Sequence, residues 1–252
     1  MEIYLTKMIL NAQSRRVWND LGNLQNLHRT ISSAFPPIEN EDGVPHHERR
    51  TPRNEFNLLH RLDFDGRGGT AVLLVQSTAR PDWSFLHEDY AKKIECKAVH
   101  EQYAAIENGK LLLFRLQANP TKRIGKSDTV AAARFKEYEK GKNRRRVELI
   151  GDDNESVEEK QIKWLVRKGE SAGFRLANVQ IKTDVKNVAS VAQGKISFGK
   201  SRNSPPLTFG SVVFEGVLQV TDAETFRDCM IRGIGSGKAY GFGLLSIAPS
   251  TD

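Results

Sequence analysis

The spacing of apolar positions changes period along the chain, and each change marks an element. Glu2–Leu10, rich in β-branched and aromatic residues, reads as a strand. Val17, Leu21, Leu24, His28, Ile31 and Phe35 then recur at spacings of 4, 3, 4, 3 and 4, which is one face of a single helix. Ser14 is placed to cap that helix and Pro36-Pro37 to end it. A polar, proline- and charge-rich loop follows to about Arg53. Phe56–Phe64 and Thr70–Ser77 read as two strands, joined through Asp65-Gly66-Arg67-Gly68-Gly69 as a hairpin. Asp82–Lys93 reads as a short helix and Gln102–Ile106 as a last strand. The order β-α-β-β-α-β is the split ferredoxin-like unit.

The order then repeats with insertions. Leu111–Ala118 is a strand, a basic loop leads to a strand over Arg146–Ile150, and Ser156–Lys168 is a helix. Phe174–Ile181, Gly194–Phe198 and Phe209–Val220 are strand candidates, Asp222 caps a helix running through Ile231, and Gly243–Ile247 is a closing strand. The pattern predicts an α+β chain of two tandem ferredoxin-like (RRM-like) domains, 1–107 and 108–252, joined near Glu107-Asn108-Gly109.

Composition narrows the partners. The 252 residues carry a formal charge of +7, which fits nucleic acid or another anionic surface. That charge is concentrated. Between Arg115 and Arg146 eleven Lys or Arg face three acids, a local balance of +8, and the other 27 basic and 28 acidic residues give −1. A polyanion-binding element accounts for such a stretch better than general solubility does. Two cysteines, Cys96 and Cys229, without a CxxC, are too few for a disulfide framework or a zinc site, and point to the cytoplasm. No apolar run reaches membrane-spanning length, and the N-terminus lacks the order of a signal peptide, so no membrane partner is expected.

The candidate chemistry rests on histidine, which moves protons near neutral pH. A ribonuclease that uses the substrate's own 2′-hydroxyl needs only a base, an acid and charge stabilisation. Of the six histidines, His28 stands on the apolar stripe near a helix C-terminus and precedes Arg29; on spacing alone a satisfied core histidine is the favoured reading. His46-His47 reads as solvated loop. No HExxH, metal-spaced His/Cys set or paired aspartates occur, so neither metal nor cofactor is expected. The segment 233–243 holds five glycines around Lys238. It follows a helix and precedes a strand, the reverse of a dinucleotide fingerprint, and suits amides of Gly235 and Gly237 offered to an RNA backbone; as an isolated feature it is equally an ordinary glycine turn.

Several blocks together resemble the CasE family, the CRISPR-RNA endoribonucleases of the type I-E Cascade complex. They are Asn26-Leu27-His28-Arg29-Thr30-Ile31-Ser32, Pro81-Asp82-Trp83, Phe114–Arg123 with its Ala118-Asn119-Pro120, and the glycine segment running into Gly243–Pro249. The resemblance implies two ferredoxin-like domains. It implies metal-free cleavage at the base of a CRISPR repeat RNA stem-loop, leaving a 2′,3′-cyclic phosphate or 3′-phosphate and a 5′-hydroxyl. It further implies retention of the mature guide RNA beside other Cascade protein subunits. The family's catalytic histidine falls on His28. Some members carry a tyrosine three residues earlier; here that position is Gln25, a poor acid or base, so a second proton-transfer group comes from elsewhere or is water. The candidate RNA-binding residues are Arg29, Arg115, Lys122, Arg123, Arg144, Arg145, Arg146, Lys200, Arg202, Gly235, Gly237 and Lys238. The competing reading is a tandem RRM-like module that binds RNA without cutting it.

Overall fold

The computed structural model describes residues 1–40, 49–65, 70–124, 145–177, 195–198 and 207–250. Two four-stranded antiparallel sheets organise them, in an α+β arrangement of two ferredoxin-like units. The first sheet has the order β2(Leu59–Asp65)–β3(Thr70–Ser77)–β1(Tyr4–Leu10)–β4(Ala91–Ala98). The second has the order β8(Phe174–Leu176)–β11(Val212–Val220)–β5(Leu111–Ala118)–β12(Leu245–Pro249). Reading β5, β8, β11 and β12 as first to fourth strand, the two sheets share one topology. Two short hairpins are inserted in the second unit: β6(Thr121–Ile124) with β7(Arg145–Glu148), and β9(Lys195–Phe198) with β10(Leu207–Gly210). The chain crosses between sheets at Glu107–Lys110, where the Lys110 amide donates to the Glu107 carbonyl.

The helix expected from Ser14 to Phe35 is two helices. α1(Arg15–Leu21) ends at Gly22, and Asn23 starts α2(Leu24–Ser32) by accepting the Gln25 amide at 3.0 Å. The break resets the helical phase. Leu27 and Ile31 are buried in α2, and Leu24 and His28 lie at the border of that face rather than along its centre. Burying Leu27 and Ile31 is worth roughly 1.5–3 kcal/mol each. Ser14 stands at the N-cap position without making the cap bond.

The helix expected over Asp82–Lys93 does not form. Asp82 accepts the Ser84 amide, and two turns close from Leu86 to Trp83 and from Tyr90 to His87. Side-chain capture of local backbone competes with the helical ladder here, while Trp83 packs on Phe35 and Tyr90 donates to buried Asp20. The last strand is β4, and the segment expected as a strand over Gln102–Ile106 is instead the second half of a short helix, α4(His100–Ala104), and the two residues after it. With no helix above it, β4 keeps its core-side residues in solvent: Ile94, opposite buried Met8, is 39% exposed. The strand expected from Phe56 begins only at Leu59, and Phe56 itself closes a turn of helix α3(Pro52–Glu55).

The second unit follows its expected order more closely. α5(Val157–Glu170) opens on a reciprocal cap between Ser156 and Glu159, and α6(Ala223–Arg232) on Asp222 accepting the Thr225 amide. Both helices bury Trp164, Leu165, Phe226 and Met230 against Leu116, Phe214 and Leu218. β8 covers Phe174–Leu176 only; residues 178–181 of the longer expectation lie outside the described residues.

Polar groups join the two units. Buried Arg61 on β2 holds Asp63 and donates to the Arg115 carbonyl at 3.2 Å and to Ser246 Oγ at 2.9 Å. Buried Gln76 on β3 donates to the Met230 carbonyl at 2.8 Å and accepts from Tyr103 at 2.7 Å. Each satisfies polar atoms that water does not reach.

Candidate functional site

Three segments of the first unit and one of the second meet around His28. α2 presents His28 half-buried at the edge of its apolar face, its ring nitrogens making no hydrogen bond among the described residues. α3 is pinned beside α2: Thr51 caps it by accepting the Asn54 amide, Pro52 supplies its first turn, and Phe56 stacks on Phe35 with ring centroids 5.6 Å apart. This places Arg53 next to His28. β2 brings His60 on its core-facing side, opposite Val75, and a 3-10 turn at Lys238–Tyr240 packs against both α2 and β2.

Electrostatics follow from that packing. His60 is 2% exposed, its Nε2 has no partner among the described residues, and burial, reinforced by His28 and Arg53, pushes its pKa down to about 3. Burial also lowers the pKa of His28, and the Arg53 charge lowers it further. Both imidazoles are therefore neutral at pH 7. Arg53 is half-buried, with its own pKa lowered by burial yet far above neutrality; Nη1 meets Asn54 Oδ1 at 2.9 Å and Nε has no partner. Burial raises the Tyr240 hydroxyl pKa, and Arg53 offsets part of that rise. A neutral base beside an arginine with nothing acidic against it among the described residues is suited to taking a proton next to an anion.

The glycine segment forms the far wall, and its glycines serve its own shape. Gly233, Gly235, Gly237, Gly241 and Gly243 all have φ between +73° and +90°. A Cβ on Gly233 would lie 2.7 Å from Leu59 Cδ2, and one on Gly243 would lie 2.7 Å from the Ile234 carbonyl oxygen. Gly243 donates to the Gln117 carbonyl, and Ile234 to Gly243. The amides of Gly235 and Gly237 donate to nothing among the described residues, which leaves them available to a ligand. Lys238 Nζ reaches the Arg232 carbonyl at 2.5 Å, closing the loop on itself.

The other expected RNA-binding residues are spread out. Arg29 is exposed one position beyond His28 and donates to Asn26. Arg115 lies between the sheets, 3.4 Å from Asp63 and 3.1 Å from Glu215, so protein carboxylates share its charge. Lys122 and Arg123 lie on β6 and Arg145 and Arg146 on β7, with Arg123 directly opposite Arg146 in the ladder. Arg144, Lys200 and Arg202 lie outside the described residues. Arg53 and His60 are not legible as site residues in the sequence, since neither carries a motif; Tyr240 lies within the glycine segment without being singled out, and only the fold brings all three to His28. Among the described residues no helix is long and apolar enough to cross a membrane.

Comparison with known proteins gives a consistent picture. A family described as CRISPR associated protein matches residues 3–249. The CRISPR-associated endoribonuclease Cse3 of Thermus thermophilus is 34% identical over 253 residues, covering 98% of this chain and 100% of that one. The CRISPR system Cascade subunit CasE of Escherichia coli is 33% identical, covering 98% and 100%. The structure of Thermus thermophilus Cse3 bound to an RNA representing a pre-cleavage complex superposes with a TM-score of 0.68 at 32% identity, over 99% of this chain and 100% of that one.

Proposed function

The chain belongs to the CasE family of CRISPR-associated endoribonucleases, and from that premise we propose that it cuts CRISPR repeat RNA with His28 as the proton-transfer residue. His28 takes the proton of the 2′-hydroxyl 5′ to the cut. The 2′-oxygen forms a bond to phosphorus as the bond from phosphorus to the 5′-oxygen breaks, and a proton reaches that leaving oxygen. The products are a 2′,3′-cyclic phosphate and a 5′-hydroxyl, and no metal ion is required. The observation that carries this reading is the neutral, half-buried His28 beside Arg53, its ring nitrogens making no hydrogen bond among the described residues. Gln25 stands where some members have tyrosine, so the leaving-group proton comes from another group or from water.

RNA is gripped by the second unit. The paired strands β6 and β7, with Lys122, Arg123, Arg145 and Arg146, and Arg144 beside them in sequence, contact stem phosphates, since A-form RNA hides its base edges in a deep, narrow groove. The amides of Gly235 and Gly237 meet the backbone near the cut, with Lys238, Lys200, Arg202, Arg29 and Arg115 as flanking cations. We read residues 1–107 as the domain carrying the chemistry and 108–252 as the domain carrying most of the grip, acting in the cytoplasm as a Cascade subunit that keeps the mature guide RNA.

The test is incubation with the protein's own repeat RNA in excess EDTA, and with the same RNA bearing a 2′-deoxy nucleotide 5′ to the cut. Cleavage of the first with a cyclic-phosphate end, and intact binding without cleavage of the second, are expected. Dependence on Mg²⁺ or cutting of the deoxy RNA would overturn the reading. Binding with no cleavage of either would favour a non-catalytic RNA-binding module.

A further inference from the structure

We propose that Arg53 is a catalytic residue that holds a non-bridging oxygen of the scissile phosphate, and that buried His60 is a positioning residue behind it. This rests on the reading of His28 given above. Arginine is rarely left half-buried without an acidic partner, because removing its charge from water is costly unless a counter-charge replaces the solvent. Arg53 is in that position. Among the described residues its Nε is buried and unpartnered, and the one hydrogen bond its guanidinium makes is to the neutral amide of its neighbour Asn54. Its charge is felt by His28, His60 and Tyr240, three side chains from three different elements, so the guanidinium lies where α2, β2 and the 3-10 turn converge. A phosphate brought to His28 would supply the missing counter-charge.

The chemistry needs such a group. In-line attack by the 2′-oxygen places extra negative charge on the phosphoryl oxygens, and neutral His28 contributes no charge to offset it. The flat fork of a guanidinium matches two oxygens of a phosphate at once. His60 supports this from below. It cannot touch RNA at 2% exposure, and its Nε2 lies 3.6 Å from where a Cβ of Gly241 would be. It thus backs the turn carrying Tyr240. Remaining neutral, it adds no cation to repel Arg53.

The experiment is single-turnover cleavage of repeat RNA at saturating protein by Arg53→Ala, Arg53→Lys and Arg53→Gln, with pH profiles, alongside affinity for the 2′-deoxy RNA. The titratable groups around His28 are Arg53 from α3, His60 from β2 and Tyr240 from the turn, while Lys238 of that turn is held on the Arg232 carbonyl and Asp20 of α1 is engaged by Tyr90. Arg53→Ala should slow cleavage by roughly 10²-fold, the scale of losing one preorganised donor at a developing oxyanion. Affinity for the deoxy RNA should change only a few fold. The acid limb of the rate profile should move to higher pH, because losing the cation raises the pKa of His28. Arg53→Lys should keep the acid limb near its wild-type place and recover part of the rate; Arg53→Gln should do neither. For His60→Phe, a slower rate with an unmoved acid limb and retained melting temperature is expected. An Arg53→Ala rate within threefold of wild type, an unmoved acid limb in Arg53→Gln, or a rate loss matched by lost affinity would overturn the assignment. If Arg53→Ala does not fold, Arg53→Lys against Arg53→Gln decides on the same two readouts. His28→Ala run in parallel separates the two claims: its retaining full activity sinks the reading of His28, whereas a dead His28→Ala with a normal Arg53 series sinks only this one.

Discussion

The two halves of this chain share one sheet order and differ in what covers the sheets. The second unit keeps both helices of the ferredoxin-like unit and adds two hairpins, one of them strongly basic. The first lacks its second helix, splits its first, and leaves β4 in solvent, yet it supplies His28, Arg53 and His60. The complete unit is the better scaffold for holding a large anion. The reduced one, whose α2 packs along only part of its length, leaves room for side chains that are half-buried and not locked by neighbours. A site needs that combination: partial desolvation shifts His28 and Arg53, and enough opening remains for RNA to arrive.

If this division of labour is right, substitution in the first half should change rate and substitution in the second should change grip. The largest effect is expected from His28→Ala, with single-turnover cleavage falling by about 10²-fold or more and repeat-RNA affinity staying within a few fold. Measuring both on one RNA breaks the comparison directly, because a His28→Ala protein that binds poorly would place grip in the first half as well.

The basic hairpin is the converse test. Arg144→Ala/Arg145→Ala/Arg146→Ala should weaken binding by about tenfold or more at physiological salt and lower the salt slope by roughly 0.7 to 0.9 per lost phosphate contact. Cleavage of RNA driven fully into the complex should stay near the wild-type rate. An unchanged affinity and slope would mean that the hairpin meets an acidic protein surface instead.

The two halves are also unequally legible in the chain. The helices of the second unit can be read from the chain, because they carry caps and continuous apolar faces, as at Ser156 and Asp222, whereas its inserted strands cannot: the expected strand Phe209–Val220 is split between β10 and β11 in two sheets, and β6 lies in the expected basic loop. The first unit misleads in two places. The 4-3-4 spacing runs through Gly22-Asn23, where a glycine and an asparagine able to cap permit a break that periodicity cannot register. β4 is exposed on both faces, so it lacks the alternation that identifies a strand. Within the site, His28 is visible through its block, while Arg53 and His60 are invisible because packing alone defines them. The glycines suggest ligand approach; the structure gives most of them an internal reason, left-handed turns packed against Leu59 and Ile234.

That internal reason gives a smaller test of how the halves are joined. Gly233→Ala would put a methyl group 2.7 Å from Leu59 Cδ2 on a residue with φ of +73°. It should cost about 1–3 kcal/mol of stability, as overpacking does, and loosen the glycine wall against β2. Denaturant midpoints and the cleavage rate should fall together, with affinity for the stem nearly retained. Loss of stability with an unchanged rate would show that the wall holds the fold and not the site.

The smallest expected effect concerns His60 and the acid side of stability. Its folded pKa, about 3, lies below the ordinary histidine value of about 6.5. Above pH 6.5 the imidazole is neutral in folded and unfolded chain alike and adds no pH dependence. Below pH 6.5 the unfolded chain takes up a proton that the folded chain refuses, so stability falls as pH drops, and continues to fall until the folded pKa is reached. The slope is at most about 1.4 kcal/mol for each pH unit, so the loss between pH 6.5 and 5.5 is of that order or less. His28, also depressed, adds a loss of the same sign over the upper part of this range. Equilibrium unfolding of wild type and His60→Phe at a series of pH values isolates the part due to His60, since the phenylalanine cannot take up a proton in either state. The two curves should diverge below pH 6.5, with wild type losing more. Parallel curves would mean that His60 is protonated in the folded chain, where a second cation would repel Arg53 and weaken its hold on the phosphate.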